Sequence, residues 1–263
     1  MKKQGLFGTA TFAALCALAI NIFLAAPMAA QAPEIKEKPR MYSYVALWDL
    51  PRAHWPEYGQ HLANTKPILD KALANGGIVA YGDDQTLVHT HDGYTHDSWW
   101  SAMSLAGVLN VLDAIYKSGS PQSQASVAAT KHADFIFVTR FYNWKPGTYT
   151  GAYTEGSSYK LKPDAPDDAV EMMAKHAVGP VMEKLLADGA IVEWEIDTLA
   201  IHSEPPGTFW IFYIAPNAEG LDKVREAVRE AFKSHPMLGP AWDSMTDYTH
   251  HRDDLARTNA VYK

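Results

Sequence analysis

The sequence predicts an α+β fold made of two similar halves, each ordered strand, helix, strand, strand, helix, strand. The first observation is an internal repeat: residues 67–90 and 180–203 align at an offset of 113, with nine of 24 positions identical. About one or two identities would arise by chance at average residue frequencies. Pro67 matches Pro180, and His89 matches His202. A tandem duplication is therefore predicted.

The second observation is that the closing segments of the two halves also repeat. Residues 130–134 (TKHAD) align with residues 249–253 (THHRD) at an offset of 119, which pairs His132 with His251. Short insertions in loops explain the larger offset, because loops drift faster than the elements they connect. Both halves are thus expected to end on an equivalent histidine.

Periodicity and turn residues predict the elements of the first half in order. Strands are expected at 42–50, 78–91, 98–105 and 126–132, with helices at 55–74 and 107–117. Asn75-Gly76-Gly77 marks the end of the first helix. In the second helix, Val108, Val111, Leu112 and Ile115 recur at helical spacing.

The second half is predicted to repeat this order around one long insertion. Strands are expected at 135–143, 190–202, 208–215 and 244–251, with helices at 168–187 and 221–234. Residues 144–167 are rich in Gly, Pro, Ser and Tyr, which predicts an irregular loop, either a packed lid or a disordered insert. The domains expected are a signal peptide (1–32), a first unit (41–132) and a second unit (133–263) carrying the lid-like insertion.

The strand at 208–215 has two apolar faces. Strand alternation directs one set of side chains to each face, namely Phe209, Ile211 and Tyr213 against Trp210, Phe212 and Ile214. By this element order and duplication, residues 41–263 resemble the dimeric α/β-barrel (ferredoxin-like) superfamily, in a form with two tandem units per chain. The resemblance implies two sheets packed face to face within one monomer that imitates a dimer. It also implies a pocket between sheet and helices.

The N-terminal residues have the pattern of a secretory signal. Lys2 and Lys3 precede an apolar stretch over residues 6–26, and Ala30-Gln31-Ala32 is a small-x-small cleavage site. We therefore expect a periplasmic or secreted protein, with an uncleaved membrane anchor as the alternative. Cleavage would remove the only cysteine, Cys16.

Composition excludes some partners and favours others. Without Lys2 and Lys3, the formal charge goes from −7 to −9, and no basic cluster is present. That argues against binding to nucleic acid or to an anionic membrane after signal cleavage. The 13 Tyr, 8 Trp and 9 Phe suit a pocket for a flat organic molecule. A small organic molecule is the expected partner.

Candidate site residues come from the repeats and the aromatic positions. The catalytic candidates are the duplicated histidines, which have a shared packing or capping role as the alternative: His89, His132, His202 and His251. Ligand-binding candidates are the third-strand tryptophans and two tyrosines of the insertion, and core packing is the alternative for the tryptophans: Trp100, Trp210, Tyr149 and Tyr153.

A weaker candidate is a metal site near the predicted end of the second strand. Strand alternation points His89 and His91 to one face, and the residues that follow include His96 and two carboxylates, Asp92 and Asp97. The alternative is a polar hairpin tip around Gly93. Three possibilities stay open for a cofactor: none, haem or a transition metal.

The function hypothesis rests on the resemblance and on what is absent from the sequence. No phosphate-binding loop, G-x-S-x-G or H-E-x-x-H motif occurs, so kinase, serine hydrolase and zincin activities have no support. The resemblance implies an exported enzyme of small hydrophobic or aromatic molecules, monooxygenase-like or isomerase-like, with histidine as general base. The alternatives are a periplasmic protein that binds a small ligand, haem or metal without turnover, and a stress-response barrel protein.

Overall fold

A computed structural model describes residues 34–263 of the chain. The predicted signal sequence, residues 1–32, lies outside the described residues. In the described range, no helix combines the length and apolar character that a membrane crossing needs.

The first half contains four strands and three helices. The strands are β1 (Met41–Asp49), β2 (Ala80–Thr86), β3 (His96–Ala102) and β4 (Lys131–Trp144). The helices are α1 (Trp55–Ala74), α2 (Leu105–Lys117) and the short α3 (Gln124–Ala128). The Ser104 hydroxyl caps α2 by accepting a hydrogen bond from the Gly107 amide at 3.1 Å.

The second half repeats the order with a more broken first helix. Its strands are β5 (Gly147–Lys160), β6 (Glu193–Leu199), β7 (Thr208–Ala215) and β8 (Arg252–Tyr262). The helices are α4 (Ala169–Met173), α5 (Gly179–Ala187), α6 (Ala218–Ser234) and α7 (Leu238–Met245). A π-helical segment, Ala174–Val178, joins α4 to α5 just before Pro180, which has no amide hydrogen to donate.

The eight strands form one closed barrel in the order β1-β3-β2-β8-β5-β7-β6-β4. Within each half the strand order is that of a ferredoxin-like sheet, β4-β1-β3-β2 and β8-β5-β7-β6. The two sheets join through the antiparallel pairs β2–β8 and β4–β6, which we call the two seams. The α+β class and the barrel architecture are confirmed, and closure leaves no unpaired sheet edge.

The helices pack on the outside of the barrel, one set on each sheet. In the first half, α1 and α2 cover Tyr44, Trp48 and Trp100 of the strands. In the second half, the helices from α4 to α7 cover a separate cluster that includes Phe141, Phe209 and Trp194. Outward side chains therefore face a helix layer, and inward ones face the barrel interior.

The predicted lid is wrong. Most of residues 144–167 form β5, a 14-residue strand that pairs with both β7 and β8. Gly151 has a φ of +66° and sits at a break in the β5–β8 register, while a Cβ at Gly156 would lie 2.5 Å from Phe212 Cε1. One of these glycines forms a bulge and the other allows a close inward contact. A glycine-rich segment is therefore a strand here and not the irregular loop that its composition predicts.

The predicted unit boundary at 132/133 is also corrected, because one continuous strand, β4, runs across it. Residues 135–143, expected to open the second unit, belong to β4, which closes the first half. The expected closing strands at 126–132 and 244–251 consist mainly of helix and turn. The first half therefore ends at Trp144, and the second starts at Gly147.

Candidate functional site

A cavity of about 440 Å³ lies between the outer face of the second sheet and its helices. Its volume falls in the range of small-molecule sites. Most of its walls are apolar or aromatic, with Trp242 and Leu238 from α7 and Tyr159 from β5. Polar groups line the rest of it, namely Glu155 of β5, His251 and Asp253 at the start of β8, and Arg225 and Arg229 of α6.

Small side chains on the covering helix leave this space open. Ala177 and Val178, from the π-helical segment, form part of the cavity wall. In the first half, α1 instead carries Tyr58 and His61, which pack against Trp48 at centroid distances of 5.7 and 5.4 Å. The first half thus packs aromatic side chains beside Trp48, the ring on which His132 stacks.

His251 precedes β8 and is held by three contacts. Its Nδ1–H donates to the backbone carbonyl of Ser158 at 3.1 Å. Its ring stacks on Tyr159 with centroids 4.4 Å apart, and Nε2 lies 3.5 Å from Asp253 Oδ1. Because a carbonyl only accepts hydrogen bonds, the neutral ring carries its proton on Nδ1. In that tautomer Nε2 is the nitrogen with a lone pair that can accept a proton, and the side chain is 26% exposed.

His132 has the same contacts in the first half. Its Nδ1–H donates to the Leu47 carbonyl at 2.9 Å, and its ring stacks on Trp48 at 5.2 Å. Its Nε2 lies 3.2 Å from Asp134 Oδ1, and the hydrogen bond to that carboxylate raises the pKa of His132. The predicted equivalence of His132 and His251 therefore extends to the hydrogen bonds, but only His251 lines the cavity described above.

A second polar group on the cavity wall is Glu155. It is 7% exposed and accepts a hydrogen bond from Arg225 at 2.7 Å. Burial raises the pKa of Glu155 although Arg225 opposes the shift. Tyr213 is also on the wall, and burial together with the nearby charge of Glu155 raises its pKa. Within the described part of the chain, its hydroxyl has no partner in hydrogen-bonding geometry. Burial raises the pKa of Tyr159 to about 12.

The other predicted catalytic and ligand-binding residues lie elsewhere. His89 and His202 are exposed in the loops that follow β2 and β6. Trp100 is buried against α2 and donates to the Val108 carbonyl at 3.1 Å, whereas Trp210 points into the barrel against Phe137.

The two predicted lid tyrosines belong to β5. Tyr149 packs on Tyr262 with centroids 6.4 Å apart, and the ring of Tyr153 lies beneath Arg257 at 4.3 Å. Of the eight predicted catalytic and ligand-binding residues, only His251 lines the cavity.

The predicted metal residues are not assembled into a site. Among residues 34–263, no group of three or more His, Cys, Asp or Glu side chains is placed to hold a metal ion. His96 is buried against Tyr58, while the side chain of His91 is 95% exposed.

Several residues of the cavity were missed in the sequence. Asp253 had a usable signal, since the aligned segments TKHAD and THHRD repeat the aspartate two residues after the histidine. Glu155 and Tyr159 lie in β5, a segment whose composition predicts a loop, so strand alternation could not assign their side chains to a face. Trp242 lies in α7, a helix that has no counterpart in the predicted element order.

Comparison with solved structures supports the fold. A protein from Lactobacillus acidophilus NCFM, whose name proposes a monooxygenase, matches with a TM-score of 0.61 and 13% identity over 86% of this chain and 97% of that one. One from Fusobacterium nucleatum subsp. nucleatum ATCC 25586, also named for a proposed monooxygenase, matches with a TM-score of 0.58 and 8% identity over 85% and 94%.

The sequence alone does not show this likeness. No protein-family model matches the chain, and no curated protein matches it. The likeness is therefore one of architecture, carried by the βαββαβ order of both halves and the closed eight-stranded sheet. The chain has the dimeric α/β-barrel (ferredoxin-like) fold.

Proposed function

We propose that this chain is an exported enzyme that acts on a small, planar, hydrophobic or aromatic molecule in the cavity of the second half, with His251 as general base. The observation that carries the proposal is the placement of His251: an oriented imidazole with a free Nε2 on the wall of an aromatic cavity. Export is supported by the pattern of residues 1–32. The halves are proposed to be tandem copies that make the monomer a pseudo-dimer.

The geometry supports proton abstraction. The carbonyl of Ser158 fixes the tautomer, so no proton has to leave Nε2 before it accepts one. Asp253 lies close enough to stabilise the imidazolium that forms. Stacking on Tyr159 holds the ring plane, and the same aromatic wall offers a flat surface for a planar substrate.

A monooxygenase-like reaction is the first choice because two solved neighbours are named for that activity. His251 would take a proton from an activated CH2 group, and O2 would oxidise the resulting carbanion. In the balanced reaction the CH2 group becomes a carbonyl that keeps one oxygen atom, while the other oxygen leaves as water with both hydrogens. The substrate is the reductant. An isomerase-like reaction shares the first step but returns the proton to another carbon.

The test is oxygen uptake and hydrogen exchange with a panel of bicyclic and tricyclic aromatics that carry an activated CH2 group. Uptake with one oxygen atom retained in the product supports the monooxygenase. Exchange of the CH2 hydrogens in D2O without uptake supports the isomerase. Absence of both would overturn the proposed enzyme.

The matched variants are H251Q and H132Q, because the two histidines make the same contacts. Loss of a general base typically lowers the rate by about 10²–10⁴-fold, and we expect this for H251Q alone. H132Q should keep the activity of the unaltered protein, since His132 does not line the cavity. Equal loss in both variants would contradict the role of His251.

A further inference from the structure

The barrel interior contains acidic side chains that no basic residue neutralises. Five carboxyl groups are inward-facing or deeply buried there: Asp84, Asp97, Glu193, Glu195 and Asp197. Within the described residues, no Lys, Arg or His forms an ion pair with any of them. The exposed fractions of Asp84, Glu193 and Asp197 are 5%, 4% and 0%.

Two of these acids lie on the seams in equivalent positions. Asp84 of β2 is directly opposite Thr258 of β8, and Asp197 of β6 is directly opposite Thr139 of β4. Each threonine hydroxyl donates to its aspartate. Asp84 also accepts from the Trp99 indole at 3.1 Å. All of these donors are neutral, so they solvate the carboxyl groups without supplying charge.

The remaining neighbours of the cluster are acids and phenols. Asp97 faces Asp84 across the β2–β3 pair, with Asp83 and Asp254 near enough to act on it. The phenols come from three strands: Tyr142 of β4, Tyr149 of β5 and Tyr262 of β8. The inward residues of β7 are Trp210, Phe212 and Ile214, and those of β1 are likewise uncharged at its centre.

Among residues 34–263, two buried oxygens inside the cluster have no hydrogen-bond partner, namely Glu193 Oε1 and Asp197 Oδ2. An ionised carboxylate with an unpaired oxygen in such a place is very costly, whereas a protonated carboxyl is neutral and can donate to a neighbour. Asp84 is directly opposite Asp97 in the β2–β3 pair, and Glu195 and Asp197 are successive residues on the inner face of β6, so each pair brings two carboxyl groups together. Two such groups side by side disfavour ionisation of both, which favours a proton on at least one of them.

We propose that these five carboxyl groups are a shared-proton cluster that holds both seams closed when it is protonated and loosens them when its protons leave. The barrel is then a pH-sensitive device, most stable in mild acid. The location explains the effect: removal of a proton leaves a buried negative charge beside other acids at the two seams, and the resulting desolvation cost and repulsion oppose closure of the barrel.

The sign of the effect follows from linkage. Burial raises the pKa of all five groups, and that of Asp197 rises to about 7 from 3.8. At these five positions the folded chain therefore binds more protons than the unfolded chain between about pH 4 and pH 7, an effect that has to outweigh the opposite one of His96 and His61, whose pKa values burial lowers. The stabilisation is complete below the unfolded pKa and is lost as the pH rises through the folded pKa. Each proton released on unfolding changes the unfolding constant about tenfold per pH unit.

The test is chemical denaturation of the full-length protein from pH 4.5 to 8.5 at fixed ionic strength. The unfolding constant should increase by at least about tenfold from pH 5 to pH 7, as expected for one or more linked protons. D197N and E193Q replace the acids by neutral groups of equal size, so both should flatten this slope. E226Q alters an exposed acid that pairs with Arg229, and it should leave the slope unchanged.

Two outcomes would overturn the proposal. One is a wild-type protein that is equally stable or more stable at pH 8 than at pH 5. The other is a D197N or E193Q variant with an unchanged slope. If both variants fail to fold, potentiometric titration of wild-type unfolding at pH 6 still decides: release of at least one proton supports the cluster, and uptake or no exchange contradicts it.

Discussion

The hydroxyl of Thr258 donates a hydrogen bond to the carboxyl of Asp84, which lies directly opposite it in the neighbouring strand of the β2–β8 seam. Thr139 makes the same bond to Asp197 in the β4–β6 seam. Asp84 and Asp197 are separated by the offset of 113 found in the sequence repeat, and the threonines by the later offset of 119. The repeat thus includes the positions that join the two halves.

Removal of one seam hydroxyl should destabilise the barrel measurably. T258V keeps the side-chain shape but leaves Asp84 without this donor, and the loss of a buried hydrogen bond costs about 1–3 kcal/mol. T139V should cost a similar amount at the other seam. Denaturant titration measures both. T150V, at an exposed position of β5, is the control, and an equal loss there would contradict a specific seam bond.

Deletion of residues 148–161 should abolish folding. The segment is almost all of β5, and its loss would leave β7 and β8 without their shared partner and open the barrel. Circular dichroism and a thermal melt would show this as loss of strand signal and of a cooperative transition. Deletion of residues 90–93, in the loop after β2, should be tolerated. A folded, cooperative 148–161 deletion would restore the lid prediction.

His96 and His132 should have widely separated pKa values. Burial, with a smaller effect of His89, lowers the pKa of His96 to about 4, whereas the hydrogen bond to Asp134 raises the pKa of His132 above 6.5. His132 therefore stabilises the fold below its unfolded pKa and loses that effect as the pH rises. His96 destabilises the fold as the pH falls below 6.5. Two-dimensional NMR of the imidazoles checks both values, and a reversed order would contradict the structure.

Much of the barrel could be predicted from the sequence because repeated residues have repeated physical roles. Gly76 and Gly189 end equivalent helices with φ values of +71° and +73°, a conformation that favours glycine at both places. The repeated His132 and His251 each bond to a backbone carbonyl and each stack on an aromatic ring. The fold class and element order follow from such positions.

The boundaries and most of the site could not be predicted, for two physical reasons. Strand β5 contains Gly147, Gly151 and Gly156, which serve a turn, a bulge and a close contact but read locally as loop. The cavity depends on side-chain size on a facing helix, where Ala177 and Val178 leave room. Such space is a property of the tertiary packing, so exposed His89 and His202 looked as promising as His251.

We expect the cavity beside His251 to bind a planar hydrophobic molecule, and calorimetric titration with 2-naphthol measures this binding. A177W places a large ring on the cavity wall and should weaken binding by at least about tenfold, the effect of losing 1.4 kcal/mol. V127W is the control because Val127 is 76% exposed and outside the cavity, so it should bind like the unaltered protein. Equal affinity of A177W and the unaltered protein, or no binding to either, would contradict the account.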